Sequence, residues 1–124
     1  MSSEADIDYI IMTNAHEESR FAELLADFRQ SFSDVSEVSA KQLLRARLVE
    51  LLIEARIGFY AIDHDASGDH RQLERDLTTA EAMKLIGDDR AWAWTPSEDS
   101  ALYFLVAIDQ GYWGRSVDRG TADQ

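Results

Sequence analysis

The chain has 124 residues, 45% of them apolar, no cysteine, and a formal net charge of −12. Such a chain can bury one core unaided, so global disorder, disulfide frameworks and thiolate zinc sites are set aside. The longest unbroken apolar run, Ala101 to Ile108, is too short to span a bilayer as a helix, and so negative a field repels phosphate backbones and anionic lipids.

Asp6 to Met12 mixes two periods. Ile7, Ile10 and Ile11 have helical spacing, whereas Asp6, Ile7, Asp8 and Tyr9 alternate as in a strand; helix is the preferred reading. The acids Glu4, Asp6 and Asp8 stand where a secretory signal would be basic, so a cytoplasmic chain is expected. Asn14 and Glu17 have capping-box spacing and are read as opening a second helix, with His16 in its first turn. Its apolar stripe is Phe21, Leu24, Leu25, Phe28 and Phe32. A polar, serine-rich connection over 31–39 leads to a long helix capped by Ser39 and Gln42. Leu44, Leu48, Leu51, Leu52 and Ala55 form one face of it, and Leu43, Val49 and Ile53 widen that face toward a second neighbour. Gly58 is expected to end the helix, which runs into a strand over 57–62.

Residues 63–71 read as a turn. Thr78 and Glu81 make a further capping box for a short helix over 80–86, closed by Gly87. Trp92 and Trp94 read as apolar anchors, and 96–100 as a turn. Ala101–Ile108 reads as a buried strand best paired with 57–62, and the polar tail 115–124 as frayed. No internal repeat or linker interrupts the chain, so one domain over 1–114 is expected.

The order helix, helix, long helix, then two strands joined by an excursion resembles a winged helix-turn-helix domain. Leu51-Leu-Ile-Glu-Ala-Arg-Ile-Gly-Phe-Tyr60 is similar to the passage from the leucine-rich helix into the first wing strand. Leu102-Tyr-Phe-Leu-Val-Ala-Ile-Asp-Gln-Gly111 is similar to the second wing strand and its turn. About 40 residues and a helix separate those strands, where a short hairpin is usual in that superfamily. The resemblance implies an α+β, winged-helix-like fold: a three-helix bundle plus a two-stranded antiparallel sheet, with a short helix inserted in the wing. It also implies a recognition helix in the major groove, with Lys41, Arg45 and Arg47 as nucleic-acid contacts.

Charge argues the other way. Residues 41–62 hold four bases against two acids, while residues 1–40 hold nine acids against two bases. Glu50 and Glu54 lie beside Arg47 one turn apart and would oppose phosphates. The expectation is therefore a non-enzymatic acidic module for protein–protein interaction, with a homodimer kept open and no cofactor. A DNA-binding regulator is the alternative.

A second alternative is calcium. Asp63-x-Asp65-x-Ser67-Gly68 followed by Glu74 matches the ligand spacing of an EF-hand loop, with Asp69 as a further oxygen donor. His70 and Arg71 depart from that pattern, and the residues before Asp63 read as strand, not as an entering helix. His64 and His70 among the same acids could hold a transition metal only weakly. No phosphate loop, nucleophile elbow or zinc-protease spacing is present.

Overall fold

The computed structural model describes residues 4–63, 73–94 and 101–108. Three helices come first: α1 (Glu4–His16), α2 (Phe21–Ser31) and α3 (Glu37–Ile53). They lead into β1 (Ile57–Asp63), then β2 (Leu73–Asp76), α4 (Thr79–Ile86), a 3-10 turn (Asp89–Trp92) and β3 (Leu102–Ala107). The class is α+β; the described residues form four helices and a three-stranded antiparallel sheet in the order β2-β1-β3. Among the described residues no helix is long and apolar enough to cross a membrane.

The pairing expected between 57–62 and the last strand is present, from Ile57 opposite Ala107 to Ile62 opposite Leu102. A sheet of two strands was expected, and β2 corrects this to three. Its four residues Leu73-Glu-Arg-Asp76 pair with β1 from Asp63 back to Tyr60. They carry no alternation to read, because three of the four are charged. Charge suits an edge strand, where it discourages further pairing.

Side chains alternate between the two faces of the sheet. Ile57, Phe59, Leu105 and Ala107 face the helices and join their apolar stripes in one core. On the opposite face Tyr60 stacks on Phe104 with ring centroids 5.0 Å apart. The stripe of α2 packs as its spacing predicts, with Phe21, Leu24, Leu25 and Phe28 buried and Phe32 half-buried at the end. Phe28 is fully buried, so truncating it to alanine would cost about 3–5 kcal/mol. Phe21 links three elements, stacking on Phe59 at 5.2 Å and tilting against Trp92 at 4.9 Å.

Helix boundaries differ from expectation where several polar residues compete for one role. Helix α1 runs on to His16, so Asn14 lies inside it and His16 closes it, instead of both opening α2. Asn14 is buried and donates to the Ile10 carbonyl and to Asp27 Oδ2, both at 2.9 Å, which ties α1 to α2. Arg20 precedes α2, its backbone N–H donating to Glu23 at 2.7 Å. Helix α3 is capped three residues earlier, at Ser36 instead of Ser39, because the Ser36 hydroxyl accepts from the Ser39 N–H. The box at Thr78 and Glu81 forms as read, each capping the other's backbone N–H at 3.1 and 2.9 Å.

Neither α1 nor α3 ends on glycine. After α3, Ala55 takes a left-handed φ of 61°, with Ala55 N–H bonding Leu52 O and Arg56 N–H bonding Leu51 O, both at 3.0 Å. Those two bonds make a Schellman cap. Glu18 repeats it after α1 with φ of 56°, and its side chain then accepts from the Tyr60 hydroxyl at 2.9 Å. Gly58 lies inside β1 and does not end α3; a side chain there would meet Ile108 Cδ1 at 3.0 Å.

Candidate interaction surface

Helix α3 carries the three cations expected to contact nucleic acid, and the structure divides them between its two flanks. Arg47 faces α1. Its guanidinium grips both oxygens of Asp8, with Nη2 to Oδ2 at 2.8 Å, and also bonds Glu50 at 3.2 Å. Only 11% of the Arg47 side chain and 21% of the Asp8 side chain are exposed. A two-pronged pair this enclosed is a strut between helices.

Arg45 faces the opposite flank. Its Nε donates to the Ile86 carbonyl at 2.9 Å, and Nη2 donates to Asp89. The guanidinium carbon lies 5.5 Å from the centre of the Trp92 ring. Trp92 Nε1 donates to the same Ile86 carbonyl at 3.1 Å. That carbonyl ends α4 and has no partner within the helix, so Arg45 supplies both a donor and a cation where the helix dipole is negative. Asp89 is held below the ordinary carboxylate range, first by its hydrogen bond to Arg45 and then by the charge of that arginine. Lys41, one turn earlier on the same flank, lies 3.7 Å from Glu37.

With its cations drawn sideways, α3 presents a different set outward. Gln42, Ala46, Val49 and Ile53 follow one another at spacings of four, three and four residues. Ile53 is 65% exposed, Ala46 and Gln42 are exposed, and Val49 is half-buried. Glu50 and Glu54 stand exposed beside this ridge, and Leu43 lies 40% exposed near its start. Among the described residues the widened face read as reaching a second neighbour is therefore only partly covered: Val49 packs on the core, while Ile53 is left mostly exposed.

A groove of about 680 Å³ opens between α2, the first turns of α3 and the residues after the 3-10 turn. Ala22, Leu25 and Trp92 line it on one side, Arg29, Glu37 and Lys41 on another, with Trp94 at its end. Arg29 and Lys41 share the Glu37 carboxylate at 3.6 and 3.7 Å. Trp92 is the apolar anchor expected of it. Trp94 is not: the residue is 60% exposed, and the Arg20 guanidinium donates to its backbone carbonyl at 3.0 Å.

Of the residues matching a calcium loop, Asp65, Ser67 and Asp69 lie outside the described residues. Asp63 ends β1, and Glu74 lies in β2 opposite Ile62. The first and last ligand positions thus sit on paired strands, where an EF-hand has helices. Among the described residues no group of three or more His, Cys, Asp or Glu could hold a metal ion. The tail 115–124 also lies outside the described residues. Sequence reasoning missed Asp8 and Asp89, whose partners lie 39 and 44 residues away in the chain. A lone acid on a helix carries no local sign of so distant a contact.

No protein-family model matches the chain, and searches of curated proteins and of solved structures find no match.

Proposed function

We propose that this chain is a non-enzymatic, acidic module that binds a basic protein partner, working in the cytoplasm. The observation that carries the reading is the division of charge on α3. Arg45, Arg47 and Lys41 are engaged within the chain, whereas Glu54 and the apolar Ile53 face solvent and Glu50, which bonds Arg47, keeps 57% of its side chain exposed. A net charge of −12 speeds encounter with a basic partner and slows it with nucleic acid.

Affinity capture from lysate of the producing cells, at low and at high salt, tests this against an inert control of equal net charge. A basic protein held at low salt and released at high salt is expected. Retention of nothing beyond what the control retains would sink the reading.

DNA binding by Lys41, Arg45 and Arg47 is the competing proposal, and it requires at least two internal arginine contacts to open. Fluorescence anisotropy of duplex DNA at low salt should show no binding; salt-sensitive binding lost on replacing all three with alanine would reverse the order of the two readings. The winged-helix reading is likewise a proposal. Three helices leading into the antiparallel pair β1–β3 support it, while β2 at the sheet edge and α4 between the paired strands depart from it.

A further inference from the structure

We infer that the outward ridge of α3 is the docking face and that its occupant is an amphipathic helix of a partner protein with lysine or arginine on its flanks. This rests on the interaction reading above and names the surface and the partner's chemistry. Two observations carry it, the spacing of the ridge and the sign of the charge beside it.

Gln42, Ala46, Val49 and Ile53 alternate four and three residues apart, the spacing with which one helix meets another along a seam. The small Ala46 at mid-seam allows close approach of a second helix, and Ile53 supplies an apolar knob that the chain itself leaves 65% exposed. The seam covers about three helical turns, roughly 16 Å, the length of a three-turn helix laid along it. Along such seams the flanking charges choose the partner. Here Glu50 and Glu54 line one side of the seam, and Glu50 keeps 57% of its side chain exposed while touching Arg47. Lys41 and Arg45 on the other side are already engaged by Glu37 and by Ile86 and Asp89, so it is the Glu50–Glu54 side that a basic flank of the incoming helix meets.

The same charges argue against a second copy of this chain as the occupant. Two copies would bring −12 against −12.

The test places the photo-crosslinker p-benzoylphenylalanine at Ile53, and separately at Trp94 beside the groove, in the full chain made in its own cells. After illumination, adducts are mapped by mass spectrometry. The inference expects an adduct from position 53 that maps to a helical segment with Lys or Arg flanking its apolar stripe. Glu54→Lys should lower its yield about tenfold, a rim-charge effect on encounter and holding. That change sits at the C-terminal end of α3, where a cation is well placed, so it leaves the fold intact. An adduct at the mass of two copies of this chain overturns the inference in favour of a homodimer. An adduct from position 94 alone overturns the choice of face and leaves the interaction reading standing. A position-53 adduct on an acidic or non-helical segment overturns the partner chemistry. No adduct from either position counts against the interaction reading itself.

Discussion

Arg45 and Arg47 lie two residues apart on one helix, yet they hold opposite flanks of it in different ways. Arg47 grips Asp8 in an enclosed two-pronged pair between α1 and α3 and touches the exposed Glu50 as well. Arg45 spreads its contacts over the Ile86 carbonyl, the Trp92 ring and Asp89, whose side chain is 78% exposed. The first flank concentrates its energy in one enclosed ion pair and fails badly if Arg47 is lost. The second divides it among contacts of three kinds, so losing one leaves the others. Opposite charges enclosed together stabilise only while both are present, whereas an exposed pair adds little.

The largest expected effect comes from breaking the enclosed pair. Arg47→Ala leaves Asp8 without its main partner and should cost about 3 kcal/mol, read as a fall in melting temperature of roughly 10 °C for a chain of this size. Asp8→Ala should cost somewhat less, because Arg47 keeps Glu50, and the double variant clearly less than the two combined, because both single changes remove the same contact. Additive losses would mean that the two side chains stabilise separately, and the contrast between the flanks would fall.

Arg45→Ala should cost less, about 1–2 kcal/mol, from one hydrogen bond to a carbonyl and one cation–ring contact. Arg45→Lys should recover only part of it, since an ammonium cannot reach the Ile86 carbonyl and Asp89 in the same forked geometry. Chemical denaturation of both variants checks this. A loss for Arg45→Ala equal to that for Arg47→Ala would erase the difference between concentrated and divided contacts.

Ala55→Gly touches neither flank. It relieves the left-handed residue that ends α3 and should raise stability by about 1 kcal/mol. Introduced beneath both arginine variants, it should shift them equally and leave the gap between them unchanged. A gap that narrows would show that the end of α3, and not its flanks, sets the cost of losing either arginine.

These contacts also mark how far the sequence could be read. The elements whose pattern is internal to them were legible: the α2 stripe, the buried face of α3 at Leu44, Leu48 and Leu51, the pairing of β1 with β3, and the Thr78–Glu81 cap. Strand β2 was not, because Leu73-Glu-Arg-Asp76 becomes a strand only by pairing with β1. The start of α3 was misplaced because Ser36 and Ser39 both suit a cap, and only the chain's path decides between them. Arg45 and Arg47 were legible as a basic stripe. Their neutralisation was not, since it depends on acids brought close only when α1 and the 3-10 turn pack on either side of α3.

The smallest effect is the one that bears most directly on function. Asp89→Asn removes the exposed member of the Arg45 flank. Because Arg45 holds the Asp89 carboxyl below its ordinary value of 3.8 in the folded state, its contribution is present above that value and is lost as pH falls through the lower folded value. The variant should therefore melt slightly below the parent at neutral pH, and the two curves should meet on acidification below about pH 4. Glu81 is also lowered, by the Thr78 backbone N–H, but it acts alike in both proteins and cancels in the difference. A difference that persists into strong acid would mean that Asp89 acts through packing and not through its charge. The same variant weighs the two functional readings. It leaves Arg45 on the Ile86 carbonyl and Trp92 while freeing one face of its guanidinium, which restores positive charge to that flank of α3. A regulator that reads DNA with Arg45 should then bind duplex more tightly, whereas a module that docks a basic helix on the outward ridge should bind neither DNA nor its partner any differently.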